Sequence, residues 1–245
     1  MNDLIALAAD EASLDNPIWN ALITRHGSLA VGAGSGPGLA RRYPVSIGPL
    51  SGLREQTPEA YAELARITPH GDIAVLFLEE APDIPPGWEL LRGGALVQMV
   101  CPVPPEAGDL AGEIVPLGES NFPEMVALAT LTEPGPFRGQ TASLGGYMGI
   151  RVEGRLAAMA GRRLSLAGFD EVSAVCTHPD FRGRGFAGEL VAAVARGIYS
   201  DGRVPFLTSF ATNAGAIRVY EQVGFVTRRK LELAAVRPPA NSSGG

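Results

Sequence analysis

Cysteine and histidine are scarce in this sequence, which limits the kinds of site that it can build. Its 245 residues include two cysteines, Cys101 and Cys176, and three histidines, His26, His70 and His178. Two cysteines cannot form a disulfide framework, and the histidines are 44 and 108 residues apart, a spacing unlike that of common metal sites. We therefore expect two reduced, structural thiols and no metal site.

Long apolar runs and a basic leader are also missing. The longest apolar stretches, such as 73–78 and 191–195, are far shorter than the roughly 18 residues that a membrane-spanning helix needs. The chain begins Met1-Asn2-Asp3, without the basic and apolar regions of a signal peptide. The sequence therefore predicts a cytoplasmic protein that has no membrane partner.

Basic residues do not exceed acidic ones, which argues against nucleic acid as a partner. The chain has 20 Lys and Arg against 26 Asp and Glu, a formal net charge of -6, whereas binding to a phosphate backbone needs a basic excess. The deficit lies in residues 1–110, which hold 14 acidic and 6 basic residues, against 12 and 14 in the remainder. This distribution leaves room for a local anion site in the second half.

A proline-rich segment divides the chain into two parts. Residues 101–109 cannot form a helix or a central strand, and they separate a predicted N-terminal mixed α/β domain, residues 1–108, from a second domain, residues 112–236. The last residues, 237–245, are rich in Pro, Ser and Gly, so we expect a disordered tail there. The length of the chain is sufficient for one large domain or for two modest ones.

Hydrophobic periodicity predicts helices and strands in both parts. In the first part the predicted helices are 17–26 and 58–68, and the predicted strands are 28–31, 73–78 and 95–101. In the second part the predicted order is β-α-β-β-β-α-β-α-β, with strands at 113–117, 147–152, 156–164, 171–177, 204–210 and 225–236 and helices at 121–131, 184–200 and 213–223. Four apolar residues of the middle helix recur every fourth position and predict one buried stripe: Phe186, Leu190, Val194 and Ile198.

The turn between the predicted strand 171–177 and the next helix reads Phe-Arg-Gly-Arg-Gly-Phe-Ala-Gly at 181–188. Glycines let consecutive N–H groups converge on an anion, and the first turn of a helix adds unpaired amides and a favourable dipole. The alternative is a tight connection that binds nothing. The three glycines also have the spacing of a dinucleotide-binding fingerprint, but they follow the strand too late for that fold.

Two motifs in this region resemble the GNAT superfamily of acyl-CoA-dependent N-acyltransferases. The phosphate loop of that family, Arg/Gln-x-x-Gly-x-Gly/Ala, is matched by Arg182-x-x-Gly185-x-Ala187. Its next motif, Asn-x-x-Ala-x-x-x-Tyr-x-x-x-Gly-Phe, is matched by Asn213, Ala216, Tyr220, Gly224 and Phe225. The motifs lie in the expected order on the predicted loop and helix, and the resemblance covers roughly residues 112–236.

The resemblance implies an α+β fold, in which a twisted mixed β-sheet is flanked by helices and preceded by the N-terminal α/β domain. That first domain is a degenerate GNAT-like half, a lid over the acceptor site or an interaction surface, and the sequence leaves these alternatives open. Acetyl-CoA would bind as acyl donor between the strands 171–177 and 204–210. The implied contacts with coenzyme A are Ala174, Val175, Cys176, Arg182, Gly183, Arg184, Gly185, Phe186, Ala187, Gly188, Asn213, Ala216 and Tyr220.

The resemblance also implies roles in acyl transfer for two side chains. Glu171 looks like the position at which some family members carry a catalytic base, with Asp170 or a water relay as alternatives, and Tyr220 resembles the general acid that protonates the leaving thiolate. The expected reaction is direct transfer of an acetyl group to a primary amine, with the loop 132–144 bordering the amine pocket. The acceptor is an amine-bearing small molecule or a protein or peptide amine, and the chain is a monomer or a homodimer. The rival interpretation is a noncatalytic acyl-CoA-binding or regulatory module.

Overall fold

The computed structural model describes residues 11–32, 36, 38–106 and 112–239. Within these ranges the helices are α1 (Pro17–Ile23), α2 (Pro58–Ile67), α3 (Phe122–Thr132), α4 (Phe186–Ser200) and α5 (Ala214–Val223). The strands are β1 (Val31–Gly32), β2 (Ala40–Arg42), β3 (Ser51–Leu53), β4 (Ala74–Leu78), β5 (Glu89–Val100), β6 (Ile114–Leu117), β7 (Tyr147–Val152), β8 (Arg155–Ser165), β9 (Phe169–Thr177), β10 (Val204–Phe210) and β11 (Val226–Arg237). Of the helices in the described ranges, none has the length and apolar character needed to cross a bilayer.

One large mixed sheet organises the molecule. Its eight strands lie in the order β4-β11-β5-β10-β9-β8-β7-β6. Neighbouring strands are antiparallel except β9 and β10, which run parallel. Strands β1, β2 and β3 form a separate, small antiparallel sheet. This arrangement confirms the predicted mixed sheet flanked by helices.

Strand β5 lies inside this sheet although it belongs to the first part of the chain. It pairs with β11 along its whole length and with β10 over its C-terminal half. Strand β4, also from the first part, lies at the edge of the sheet beside β11. The boundary predicted between 1–108 and 112–236 therefore does not separate two sheets. Residues 107–111, at that boundary, lie outside the described residues.

Helix α4 covers the sheet through the predicted apolar stripe. Phe186, Leu190, Val194 and Ile198 are each 4 % exposed or less, and they belong to one core cluster with residues of β7, β8, β9 and β10. Burial of such a side chain stabilises a fold by roughly 1.5–3 kcal/mol. The stripe thereby fixes the N-terminus of α4 at the end of β9.

Two predictions near the ends of the chain are wrong. The predicted strand 28–31 is instead a short 3-10 turn, Gly27–Leu29, followed by the two-residue strand β1. Four residues are too few for a hydrophobic pattern to distinguish a strand from a turn. Arg237, predicted to begin a disordered tail, is the last residue of β11, where it pairs with Glu89 and forms an ion pair of 2.6 Å with the Glu89 carboxylate. Residues 240–245 lie outside the described residues.

All five tyrosines of the chain have a raised pKa. Burial raises the pKa of Tyr61, Tyr199 and Tyr220 to about 12, and it also raises the pKa of Tyr43 and Tyr147. Because the fold disfavours tyrosinate, the buried neutral tyrosines stabilise it fully at pH values below the unfolded pKa of about 10. This stabilisation is lost as the pH rises through about 12. We expect the ultraviolet absorbance of tyrosinate to rise only together with unfolding. Tyrosinate formation near pH 10 with an unchanged circular dichroism spectrum would contradict this prediction.

Candidate functional site

Strands β9 and β10 separate after a short paired region. Their parallel register ends at Glu171↔Phe206, although β9 continues to Thr177 and β10 continues to Phe210. The gap between them opens a cleft of about 590 Å³, a volume typical of sites for small molecules and cofactors. The cleft reaches from the paired ends of the two strands to the turn 181–188.

A β-bulge frees main-chain groups of β9 beside this cleft. Met159 and Gly161 of β8 are two residues apart in the sequence, whereas their partners on β9, Cys176 and Ser173, are three residues apart. Strand β9 therefore has one extra residue here. Ala174, within that interval, has a φ of 51°, a conformation that residues with a Cβ rarely adopt and that concentrates at functional sites. A bulge leaves N–H and C=O groups without ladder partners. Because β10 has already moved away, these groups lie on the wall of the cleft.

The turn after β9 places unpaired helix amides at the outer end of the cleft. Gly183 and Gly185 have φ angles of 78° and 81°, which glycine adopts without steric cost. Gly185 is the N-cap of α4 and makes no side-chain cap hydrogen bond. The N–H groups of Phe186, Ala187 and Gly188 therefore have no intrahelical partner. Together with the helix dipole, this geometry suits a phosphate group.

Three arginines add positive charge around the turn. The guanidinium groups of Arg184 and Arg155 lie 5.2 and 5.3 Å from the centre of the Phe181 ring, and Arg182 is exposed in the same turn. Arg182 and Arg184 line the cleft. Positive charge is therefore concentrated at this turn in a chain whose net charge is -6.

The cleft brings together all thirteen residues that the sequence predicts as contacts of coenzyme A. They are 174–176 on β9, 182–188 in the turn and at the start of α4, and Asn213, Ala216 and Tyr220 beside or on α5. The Asn213 side chain accepts a hydrogen bond of 3.3 Å from the N–H of Ala216, so this residue caps α5. Among the described residues, no group of three His, Cys, Asp or Glu side chains could hold a metal ion.

Comparison with known proteins identifies the family of this chain. The model of the FR47-like protein family matches residues 147–233. A solved structure from Novosphingobium aromaticivorans, described as a candidate acetyltransferase from the GNAT family, is 40% identical with a TM-score of 0.84, and the match covers 92% of this chain and 98% of that chain. The chain belongs to the GNAT family.

More distant structures share the fold of this GNAT chain. A GCN5-related N-acetyltransferase from Kribbella flavida is 18% identical with a TM-score of 0.57, covering 93% of this chain and 95% of that chain. A GCN5-related N-acetyltransferase-like protein from Streptococcus suis is 12% identical with a TM-score of 0.60, covering 89% and 92%. No curated protein sequence matches the chain. Because the two structural matches extend over about nine-tenths of the chain, the shared fold includes N-terminal strands.

Two protonated side chains border the cleft of this GNAT fold. Tyr220 is 9% exposed, and burial, followed by the nearby Cys176, raises its pKa to about 12. Burial raises the pKa of the Cys176 thiol to about 11. At neutral pH the phenol of Tyr220 therefore has a proton to donate, whereas Cys176 is a neutral thiol and not the thiolate that nucleophilic catalysis requires.

Glu171 does not have the position that a catalytic base requires. It is 0% exposed, and its two carboxylate oxygens accept hydrogen bonds of 2.8 Å from Nε and Nη2 of Arg163. Glu171 is also not among the residues that line the cleft, so an amine bound there does not reach its carboxylate. The alternative, Asp170, is also engaged, because it accepts a bond of 2.6 Å from Arg203. We therefore correct the interpretation: Glu171 holds Arg163, and the side chain that borders the cleft is that of Arg163.

The sequence does not reveal the inner wall of the cleft. Phe77 of β4, Leu96 of β5 and Leu233 of β11 line this wall, together with Arg163 and the segment 132–136 that follows α3. No short motif marks these residues, since they become neighbours only when β11 inserts between β4 and β5. The apolar runs of β4 and of the C-terminal half of β5 were the available signal, but they indicate burial and not a ligand.

The loop that follows α3 is hydrogen-bonded to the first part of the chain. The Arg138 side chain donates to the main-chain oxygen of Val45 at 2.8 Å and to the Asp72 carboxylate at 3.0 Å. The Thr141 hydroxyl donates to the main-chain oxygen of Ile47. Because the same loop begins with cleft-lining residues 132–136, the N-terminal segment shapes the cleft.

Proposed function

We propose that the protein transfers an acetyl group from acetyl-CoA to a primary amine by direct attack within a ternary complex. The observation that carries this proposal is the continuous cleft in which the bulge of β9 leads to the uncapped N-terminus of α4. Pantetheine amides can pair with a strand whose neighbour has moved away, and a diphosphate can accept hydrogen bonds from the helix amides. The 40% identity to a protein described as a GNAT acetyltransferase supports the same class of reaction.

In the proposed reaction the amine nitrogen attacks the thioester carbonyl carbon, so that a C–N bond forms and the C–S bond breaks. A main-chain N–H near Cys176 stabilises the oxyanion, and Tyr220 donates its proton to the departing sulfur. The proton that the nitrogen loses as the amide forms returns to Tyr220. The amine must first lose a proton, because an alkylammonium ion has no free electron pair. With Glu171 bound to Arg163, that proton leaves through water. Glu133 can receive it, since it is the carboxylate among the described residues that line the cleft.

Replacement of Gly185 by Ala tests the donor site. Because Gly185 has a φ of 81° at the N-cap of α4, a Cβ there is strained by roughly 1–2 kcal/mol, and relief of that strain moves the first amides of the helix. Each charge-assisted hydrogen bond contributes about 1.5–3 kcal/mol, so loss of one lowers the affinity for acetyl-CoA about tenfold or more. Isothermal titration with acetyl-CoA measures this loss.

Gly202 provides the matched control. Its φ is 72°, and an added Cβ would meet no heavy atom within 4 Å, but it lies beyond the C-terminal end of α4, away from the turn 181–188. Gly202→Ala should therefore lower stability to a similar extent and bind acetyl-CoA as the unchanged protein does. Equal losses of affinity in both variants would show that the turn does not hold the donor. A lack of saturable acetyl-CoA binding by the unchanged protein at millimolar ligand would end the proposal.

A noncatalytic acyl-CoA-binding module is the second candidate function. It is favoured by one observation, the engagement of both Glu171 oxygens by Arg163, which removes the predicted base. Release of free thiol from acetyl-CoA in the presence of a panel of amines separates the candidates. An enzyme shows release that depends on the amine, whereas a binding module binds acetyl-CoA and releases no thiol.

A further inference from the structure

We propose that Arg163 and Tyr147 form an oxygen-binding subsite for the acceptor, which favours primary amines that carry a neutral carbonyl group over alkylamines of the same shape. This inference rests on the proposed function and specifies its acceptor. It starts from two hydrogen-bond donors that the proposed acyl transfer does not use.

The inner wall of the cleft contains one nearly buried cationic side chain, that of Arg163. It is 8% exposed, and its guanidinium lies 5.7 Å from the centre of the Phe77 ring. Its bonds to Glu171 use Nε and Nη2, so Nη1 makes no hydrogen bond to any described residue. Because the Glu171 pairing fixes the guanidinium, Nη1 is a donor of defined position in a residue that lines the cleft.

Tyr147 supplies the second donor. Its side chain is 2% exposed, and its buried hydroxyl has no hydrogen-bond partner among the described residues. The ring is held against Gly161, where a Cβ would lie only 2.4 Å from it, and against Phe137, whose ring centre is 5.9 Å away in an edge-on arrangement. An unpaired buried hydroxyl lowers stability, so a rigidly held one in a native structure calls for a partner that satisfies it.

The two side chains meet at a recess beside the cleft. Tyr147 and Arg163 both line this recess, which has a volume of about 10 Å³, and Ser173 and the segment 134–136 line both the recess and the main cleft. The volume is about that of one water-sized atom. The Thr141 hydroxyl, which also borders the recess, is already engaged, because it donates to Ile47 and accepts from the N–H of Arg138. The recess therefore suits a single oxygen atom that accepts hydrogen bonds from Arg163 and Tyr147.

The position of the recess assigns it to the acceptor and not to the donor diphosphate. Arg163 is bonded to Glu171, at the paired end of β9, whereas the phosphate-binding turn follows Thr177 at the other end. Ser173 and Ala174 of β9 line the recess, and a strand rises about 3.3 Å per residue, so the recess lies about 10 Å or more before the end of β9. The recess therefore lies beside the bulge at Ala174, where the acceptor amine would meet the thioester, and not at the turn that would hold the diphosphate.

Glu171 makes the subsite selective for a neutral carbonyl. The charge of Arg163 is already balanced by this fully buried carboxylate, so an acceptor carboxylate would add a second negative charge beside a neutral pair. An amide or ester carbonyl accepts two hydrogen bonds without adding charge. A plain alkylamine leaves both donors unpaired, which costs binding free energy.

Binding to the complex of the protein with coenzyme A tests the subsite without turnover. The probes are 3-aminopropanamide, its hydrocarbon isostere 3-methylbutylamine, and β-alanine, which carries a carboxylate. In isothermal titration we expect 3-aminopropanamide to bind about tenfold or more tightly than 3-methylbutylamine, with β-alanine between them. Tyr147→Phe and Arg163→Lys, which preserve the ring and the charge beside Glu171, should each abolish most of this preference and leave the affinity for coenzyme A unchanged.

Tyr61→Phe is the matched control. Tyr61 belongs to a different core cluster, around α2, and its hydroxyl donates to Gln56. Loss of this hydroxyl should therefore change neither the affinity for coenzyme A nor the preference for 3-aminopropanamide. Equal affinities for the two isosteres, or a preference that survives Tyr147→Phe, would overturn the subsite, and bound coenzyme A would still support the proposed function. Failure to bind coenzyme A would instead overturn the proposed function. The same pair of amines titrated into the free protein would then decide the subsite.

Discussion

A chain restricted to residues 112–239 is expected to lose its cooperative fold, although it contains both motifs that resemble the GNAT family. Strands β10 and β11 do not pair with each other, because β5 lies between them. Removal of β5 also removes Leu96 and Met99, which are 3% and 0% exposed and belong to two different core clusters. Loss of one buried side chain of this size costs about 2–5 kcal/mol, against a total stability of about 5–15 kcal/mol for a typical domain.

Far-ultraviolet circular dichroism and urea unfolding measure this effect. The matched control is a chain that ends at Pro239, which keeps every described strand and should unfold in one transition at the midpoint of the full chain. A single cooperative transition of the fragment 112–239, with the denaturant dependence expected for its length, would contradict this prediction. It would also support the independent second domain that the sequence predicts.

Much of the second part of the chain could be predicted because its elements are long and locally patterned. The predicted bounds of β10 coincide with Val204–Phe210, and the stripe of α4 repeats often enough to define its buried face. Strands β1 and β2 have two and three residues, so only their partners define them. The first half of β5, residues 89–94, is largely exposed and includes two consecutive glycines, so its pairing with β11 has no local signal.

The same distinction separates the two ends of the candidate site. The end that we propose for the donor is made of contiguous residues, 182–188, and of one helix face that includes Ala216 and Tyr220, so a sequence motif can describe it. The inner wall of the cleft joins Phe77 and Leu233, which are far apart in the sequence and become neighbours through the pairing of β4 with β11. The role of Glu171 was misjudged because its partner Arg163 comes from the adjacent strand.

Replacement of Tyr220 by Phe is expected to lower kcat by about 100-fold, the smaller end of the usual contribution of a general acid, with little change in the affinity for acetyl-CoA. The ring that lines the cleft and packs against Phe225, 6.4 Å away between centroids, is preserved in this variant. Because the pKa of Tyr220 is about 12, its phenol keeps its proton at neutral and mildly alkaline pH. Up to pH values near the usual tyrosine pKa of about 10, the kcat of the unchanged protein should therefore show no alkaline decline caused by this group.

Tyr199→Phe is the control for the loss of a hydroxyl. The Tyr199 hydroxyl donates to the main-chain oxygen of Cys101 at 2.6 Å, so its loss should lower the free energy of unfolding by about 1 kcal/mol and leave kcat unchanged. An unchanged kcat in Tyr220→Phe would remove Tyr220 from the mechanism. The thiolate would then leave without protonation, as an ordinary thiol pKa of about 8.5 permits, and the main-chain donors at the β9 bulge would supply the stabilisation of the transition state.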